Sequence, residues 1–172
     1  MTEKTKDILS YIVIIVVVIL IRTFIVTPVR VDGTSMVPNL ANNDILVLKK
    51  FDKSIDRFDI VVINYNKSKL VKRVIGLPGE TVEIAVTHVG NNVVSKIIVD
   101  GEVIEENYGY EPIKDAGLAS NAIKLANDEY FVLGDNRNNS ADSRIIGPVS
   151  KKDILGVTDF RLFPFNKFGK ID

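Results

Sequence analysis

The run ILSYIVIIVVVILI, Ile8 to Ile21, holds no charged residue, and it constrains this chain more than any other feature. As an α-helix its 14 residues, rising about 1.5 Å each, span about 21 Å, short of a hydrocarbon core of about 30 Å. The apolar character resumes after Arg22 in TFIVTPV, and an arginine near a helix end can snorkel to the headgroups. Counted from Ile8 to about Val26, the segment is long enough to span. A cleaved signal peptide would carry a small-x-small site after the run, and IRTFIVTPV offers none. A helix buried in a soluble domain would show a polar face, yet only Ser10 and Tyr11 interrupt this one. The sequence therefore predicts an uncleaved transmembrane anchor over 8–27, behind a cytoplasmic N-terminus of residues 1–7. Lys4 and Lys6 precede the anchor. Acidic residues count little in setting orientation, so residues 28–172 are expected on the outer side.

The remainder, roughly 140 residues, is large enough to bury its own core as one domain. Twenty-two Lys and Arg balance 22 Asp and Glu, which argues against a nucleic-acid partner. The chain has no cysteine, which excludes a disulfide framework and any thiolate metal site. After Pro28 come short runs rich in Val, Ile, Phe and Tyr: DILVLKKF, FDIVVINY, KLVKRVIG, TVEIAVTHV, VVSKIIVDG, EYFVLGD and DILGVTDFRLFP. Turn residues separate them in NND, LPGE, GNN, VDGE and GDNRNN. The expected fold class is mainly β, an antiparallel domain behind one helix. SKKDILG is the helical exception. Ser150 with Asp153 resembles a capping box, and Gly156 would end the turn. Residues 105–127 are less regular and read as a loop or extended hairpin.

The segment GTSMVPN places Ser35 just after the anchor, and a nucleophilic serine needs a base. His88 is the chain's one histidine. It sits in a strand-to-turn pattern with no evident orienting carboxylate, and reads as a surface residue. A neutral lysine can serve instead. At its reference pKa fewer than about one lysine in a thousand is neutral at pH 7, so a lysine base must be desolvated. The pairs Lys49/Lys50, Lys67/Lys69 and Lys151/Lys152 lie in polar clusters. Lys72, in LVKRVIGLPGE, lies among valines before a sharp turn. Two readings of it stay open at this level: a buried base, and an edge-strand lysine that deters aggregation. GDNRNNSADSR, Gly134 to Arg144, concentrates polar groups directly after the apolar YFVL. As a calcium loop it lacks a ligand at the third position and a glycine at the sixth, so no metal is expected. A buried polar network serving a site elsewhere fits better.

Four segments in order, the anchor with GTSMVPNL, FDIVVINY, KRVIGLPGE and GDNRNNSADSR, resemble the boxes of the type I signal peptidases. These are membrane-bound Ser–Lys endopeptidases that remove signal peptides. The resemblance runs from the N-terminus to Arg144. It implies Ser35 as nucleophile and Lys72 as general base, with no cofactor. It further implies that Ser140 hydrogen-bonds the Lys72 amine, that Asp142 and Arg144 form a supporting ion pair with Arg73 nearby, and that the Ser35 N–H faces the oxyanion. Substrates would be secretory preproteins cut after small-x-small sites, bound as an added strand. Val29, Val31 and Val71 would line the pockets for small side chains, though plain core residues are an equal reading. Membrane lipid is an expected partner, with secretion or pilus-assembly machinery as further ones. Met36 and Phe24 are candidates for dipping into the lipid interface.

Three positions depart from the family pattern. Gly33 stands where some members carry an oxyanion hydroxyl, Asn39 replaces a threonine, and Phe58 replaces a glycine. An alternative keeps the chemistry but narrows the job to a specialised peptidase or accessory for a set such as pilin subunits. An anchored non-catalytic β module is disfavoured because the dyad and its polar support are all present. A self-cleaving repressor with a related dyad would carry a DNA-binding domain, and this chain has none.

Overall fold

The computed structural model describes residues 3–24, 26–50, 54–109 and 111–171, with the backbone alone for 21–24 and 26. One helix, α1 (Glu3–Phe24), precedes a β structure. The larger sheet is built from β1 (Val26–Arg30), β2 (Ile45–Lys49), β3 (Ile60–Tyr65), β4 (Ser68–Gly76), β9 (Glu129–Leu133), β10 (Val149–Ser150), β11 (Ile154–Thr158), β12 (Phe160–Phe163) and β13 (Gly169–Lys170). Its order is β10-β9-β4-β3-β11-β2-β12-β13, with β1 on β2. The smaller sheet, in order β7-β6-β5-β8, comprises β5 (Thr81–Val89), β6 (Asn92–Val99), β7 (Glu102–Ile104) and β8 (Ile123–Lys124). Every recorded pairing is antiparallel.

Burial follows from strand position. β3 lies between β4 and β11, and its IVVI run is buried on both faces, as an interior strand of continuous apolar residues should be. β2 alternates half-buried and buried residues, the period-2 pattern of a strand with one face to the core. One cluster joins Val29, Val31, Met36 and Leu40 to Leu46, Leu48, Ile60, Val62 and Val71. The other face of the sheet packs Val61, Ile63, Val74, Val132 and Ile154 together. Val82, Ile84, Ile97 and Val99 of the smaller sheet meet Ile75, Phe131 and Leu133 of the larger.

The structure corrects several sequence expectations. The helix begins at Glu3, so the charged tail joins it rather than standing apart. Val26 and Thr27, expected in the anchor, belong to β1 and pair with Lys49 and Leu48. The cause is Pro28, which disfavours the helical region for the residue before it. From Ile8 to Leu20 the apolar side chains are 45–66% exposed, uncovered by any other element. Among the described residues no helix is long and apolar enough to cross a membrane. Met36 is 1% exposed and is core rather than an interfacial residue; the Phe24 side chain lies outside the described residues.

The turn at Ser150 is a 3-10 helix, Lys151–Asp153, without a side-chain cap; Ser150 Oγ donates instead to Asp128 Oδ2 at 2.8 Å. Gly156 ends no helix. It lies within β11, where a Cβ would stand 2.2 Å from the Lys49 carbonyl oxygen. DILGVTDFRLFP forms two strands, β11 and β12, broken at Asp159. Of the two readings of residues 105–127 the loop holds: the described residues form an irregular strap over the polar segment after β9, with one 3-10 turn, Gly117–Ser120, before β8 pairs with β5.

Candidate active site

Lys72 sits on β4, paired with Val61 of β3 on one side, while its neighbour Arg73 pairs with Leu133 of β9 on the other. The strand is interior, so the edge-strand reading of Lys72 is ruled out. The lysine is 2% exposed, and its Nζ lies 2.7 Å from Ser35 Oγ. Nζ also donates to the Val71 carbonyl at 3.0 Å. Burial lowers the Lys72 pKa from 10.5 to about 8, against the opposing pull of the Asp142 and then the Asp135 carboxylate. At pH 7 roughly a tenth of such lysines are neutral, against less than a thousandth at the reference value.

Ser35 lies in the loop between β1 and β2. Met36 and Leu40, 1% and 0% exposed, anchor that loop in the core, and the Leu40 N–H bonds back to the Met36 carbonyl at 2.8 Å. Gly33 has φ +98° and open space where a Cβ would be; its backbone conformation, not crowding, asks for glycine. Its N–H donates to Asn42 Oδ1 at 3.0 Å.

The segment after β9 holds this loop from the other side. The Asn136 N–H donates to the Ser35 carbonyl at 2.9 Å. Asn136 and Asn139 side chains donate to the Thr34 carbonyl and hydroxyl, each at 3.1 Å. A Cβ on Gly134 would meet Ser140 Oγ at 2.2 Å and the Ser35 carbonyl oxygen at 2.6 Å, so glycine is needed for this close approach. Behind it lie two buried ion pairs. Asp142 accepts from Arg144 Nε and Nη2 at 2.9 and 2.8 Å and from the Gly134 N–H at 3.0 Å. Arg73 donates to both oxygens of Asp135 at 2.9 Å. Arg73 thus belongs to Asp135 and not to the Asp142–Arg144 pair.

Other expectations fare differently. Ser140 does not bond Lys72: its buried Oγ has no hydrogen-bond partner among the described residues, and the lysine is oriented by Ser35 and Val71. His88 is exposed on the β5–β6 hairpin, paired with Val93. Val29, Val31 and Val71 lie in one cluster and are 3–6% exposed. Phe58 holds the glycine position of the family pattern at φ +73°, and its carbonyl accepts from Arg73 Nη1 at 2.9 Å. Asn39, in place of threonine, reaches Asp135 Oδ2 at 2.8 Å.

Sequence reasoning missed the parts played by Thr34, Asn136 and Asn139. The density of amide side chains in GDNRNN was the available clue. It also missed the clip from the C-terminal strands, where Arg161 donates to the Asn39 carbonyl at 2.6 Å and pairs with buried Asp44 at 3.2 Å.

A serine hydroxyl in contact with a buried, deprotonatable lysine is the arrangement of a serine hydrolase. Comparison with known proteins narrows the class. Residues 5–163 match the family described as signal peptidase, peptidase S26. Signal peptidase I S of Bacillus subtilis (strain 168) is 36% identical over 98% of this chain and 96% of its own length. Signal peptidase I P of Bacillus subtilis subsp. natto is 39% identical over 96% and 94%. A solved signal peptidase I from Enterococcus faecalis V583 is 29% identical, covering 61% of this chain and 97% of its own, with a TM-score of 0.45. The chain belongs to the signal peptidase I family and is a serine endopeptidase of signal-peptide processing.

Proposed function

We propose that this chain is a membrane-anchored endopeptidase that cleaves secretory preproteins after small-x-small sites with a Ser35–Lys72 dyad. The observation that carries the reading is the 2.7 Å contact of Lys72 Nζ with Ser35 Oγ, made by a lysine whose pKa is about 8. Neutral Lys72 takes the Ser35 proton as Oγ attacks the scissile carbonyl. The Ser35 N–H, which bonds no described residue, donates to the oxyanion. The Lys72 ammonium then protonates the leaving amine, and the acyl-enzyme is hydrolysed by water with Lys72 again as base. The Val71 carbonyl orients the amine. Asp142–Arg144 and Arg73–Asp135 hold the backbone behind it.

The substrate enters as an extended strand. β1 pairs only with β2 among the described residues, which leaves its other edge for a peptide. Val29, Val31 and Val71 give that site an apolar floor. The apolar part of α1, residues 8–24, holds the site at the lipid surface, with residues 1–7 cytoplasmic and the β structure outside. The exposed apolar side chains of α1, which no other element covers, support this.

The test is cleavage of a preprotein panel, in detergent or lipid, by wild type, Ser35→Ala and Lys72→Ala, with the products sequenced. Wild type is expected to cut after small-x-small sites, and each variant to lose at least about 10⁴-fold. Substantial cleavage by Ser35→Ala would rule out the dyad. Failure of wild type on general preproteins, with cutting of pilin-type substrates alone, would narrow the substrate set.

A further inference from the structure

The strap over residues 105–116 is tied down along the polar segment after β9. Glu106 and Arg137 form a buried ion pair. A Cβ on Gly109 would stand 3.1 Å from the Arg137 guanidinium carbon, so the strap's backbone lies flush on that side chain. Asn138 Nδ2 donates to the Pro112 carbonyl at 3.0 Å, and Arg144 Nη1 to the Asp115 carbonyl at 3.2 Å. At the centre of these ties is Tyr108. Its ring centroid lies 3.6 Å from the Arg73 guanidinium carbon and 5.3 Å from the Phe58 ring. Its carbonyl accepts from Asn39 Nδ2 at 3.3 Å, and the same amide donates to Asp135 at 2.8 Å.

Arg73 spends its edge on Asp135 and the Phe58 carbonyl, so only its faces are left. Phe58, Arg73 and Tyr108 all border a cavity of about 510 Å³, a place from which water would otherwise reach the guanidinium face. An aromatic face satisfies that cation without competing for its hydrogen bonds. Asp135, fixed in turn, precedes the Asn136 N–H that holds the Ser35 carbonyl. Asn39, four residues beyond Ser35, closes the circuit. We propose that Tyr108 is a positioning residue for the reaction: its ring seals the Arg73–Asp135 pair from water and, through Asp135 and Asn136, fixes the loop that carries Ser35. This rests on the reading of Ser35 and Lys72 as the dyad.

The test compares the full chain with Tyr108→Phe, Tyr108→Leu, Tyr108→Ala and Ser35→Ala. It measures kcat and KM on a preprotein, thermal melting, and the fraction of sites labelled by an acylating serine inhibitor. Phe keeps the aromatic face, and its kcat is expected within about twofold of wild type. Leu fills the volume without that face, and a kcat about tenfold lower per labelled site is expected, with KM within about threefold. Ala is expected to lose about tenfold to a hundredfold in kcat. A structural role alone would lower melting and labelled fraction while leaving kcat per labelled site unchanged. That result, or wild-type kcat in Tyr108→Leu, would overturn the proposal. If Tyr108→Ala does not fold, the contrast between Phe and Leu decides. Activity in Ser35→Ala would instead remove the dyad reading, and this proposal with it, whatever the Tyr108 variants do.

Discussion

Lys72→Met is expected to stop cleavage and, at the same time, to make the folded protein more stable below about pH 8. The loss of cleavage follows from removal of the base. The gain follows from the cost of keeping an ammonium group out of water. The folded pKa is about 8 and the ordinary value 10.5. Below about pH 8 both states are protonated, and the folded state bears the full penalty. Between 8 and 10.5 the unfolded chain binds the proton that the folded chain has released, so wild-type stability rises with pH. The advantage of methionine is therefore largest at neutral and acid pH and shrinks toward pH 10.5. The shift corresponds to about 3 kcal/mol at most. The net gain is smaller, because methionine forgoes the bonds to Ser35 and the Val71 carbonyl. Urea unfolding of both proteins at about pH 6.5 and 9.5 checks this. A difference between variant and wild type that does not change between the two pH values would show that the buried lysine carries no such penalty.

Asp142→Ala is expected to cost about 3–5 kcal/mol, the usual result of breaking a buried ion pair from one side. It strands Arg144, which is 6% exposed, and removes the acceptor of the Gly134 N–H, beside the Ser35 carbonyl. It also removes the larger of the two charges that raise the Lys72 pKa. Asp142→Asn keeps an oxygen for Gly134 and is expected to destabilise less. In that variant the activity should titrate at a lower pH than in wild type, because the ammonium has lost the larger of its two supporting charges. Calorimetry of both variants and a pH–rate profile of Asp142→Asn separate the two effects. An unchanged midpoint would mean that the Asp142 charge is not felt at the base.

Much of this was legible in the chain. The apolar runs FDIVVINY and KLVKRVIG specify paired strands, and a lysine set among valines in such a strand can only be buried if the strand is interior. Whether it was interior could not be read, because strand order depends on pairings between distant segments. Gly156 misled for the same reason. Its lack of a side chain answers to the Lys49 carbonyl, more than 100 residues away in sequence, and not to a helix end. The Ser140 bond, carried over from the family, is not made: the Lys72 amine bonds Ser35 Oγ and the Val71 carbonyl of its own strand, an acceptor that no motif shows. Tyr108 had no signal at all. It lies in an irregular strap, and its partner Arg73 is brought to it only by the folded sheet. Phe58 shows the reverse case. A bulky residue at a left-handed position is a departure on paper, yet it packs against Tyr108 and offers Arg73 its carbonyl.

The most direct measurement is the site and pH dependence of acylation. Wild type and Lys72→Met are treated with an acylating serine inhibitor between about pH 6 and 9, and the adduct is located by peptide mass mapping. A single adduct on Ser35 is expected. Its rate of formation should rise with pH around a midpoint near 8, and no adduct should form in Lys72→Met. An adduct on another serine, or a rate on Ser35 independent of pH across that range, would contradict the Ser35–Lys72 dyad.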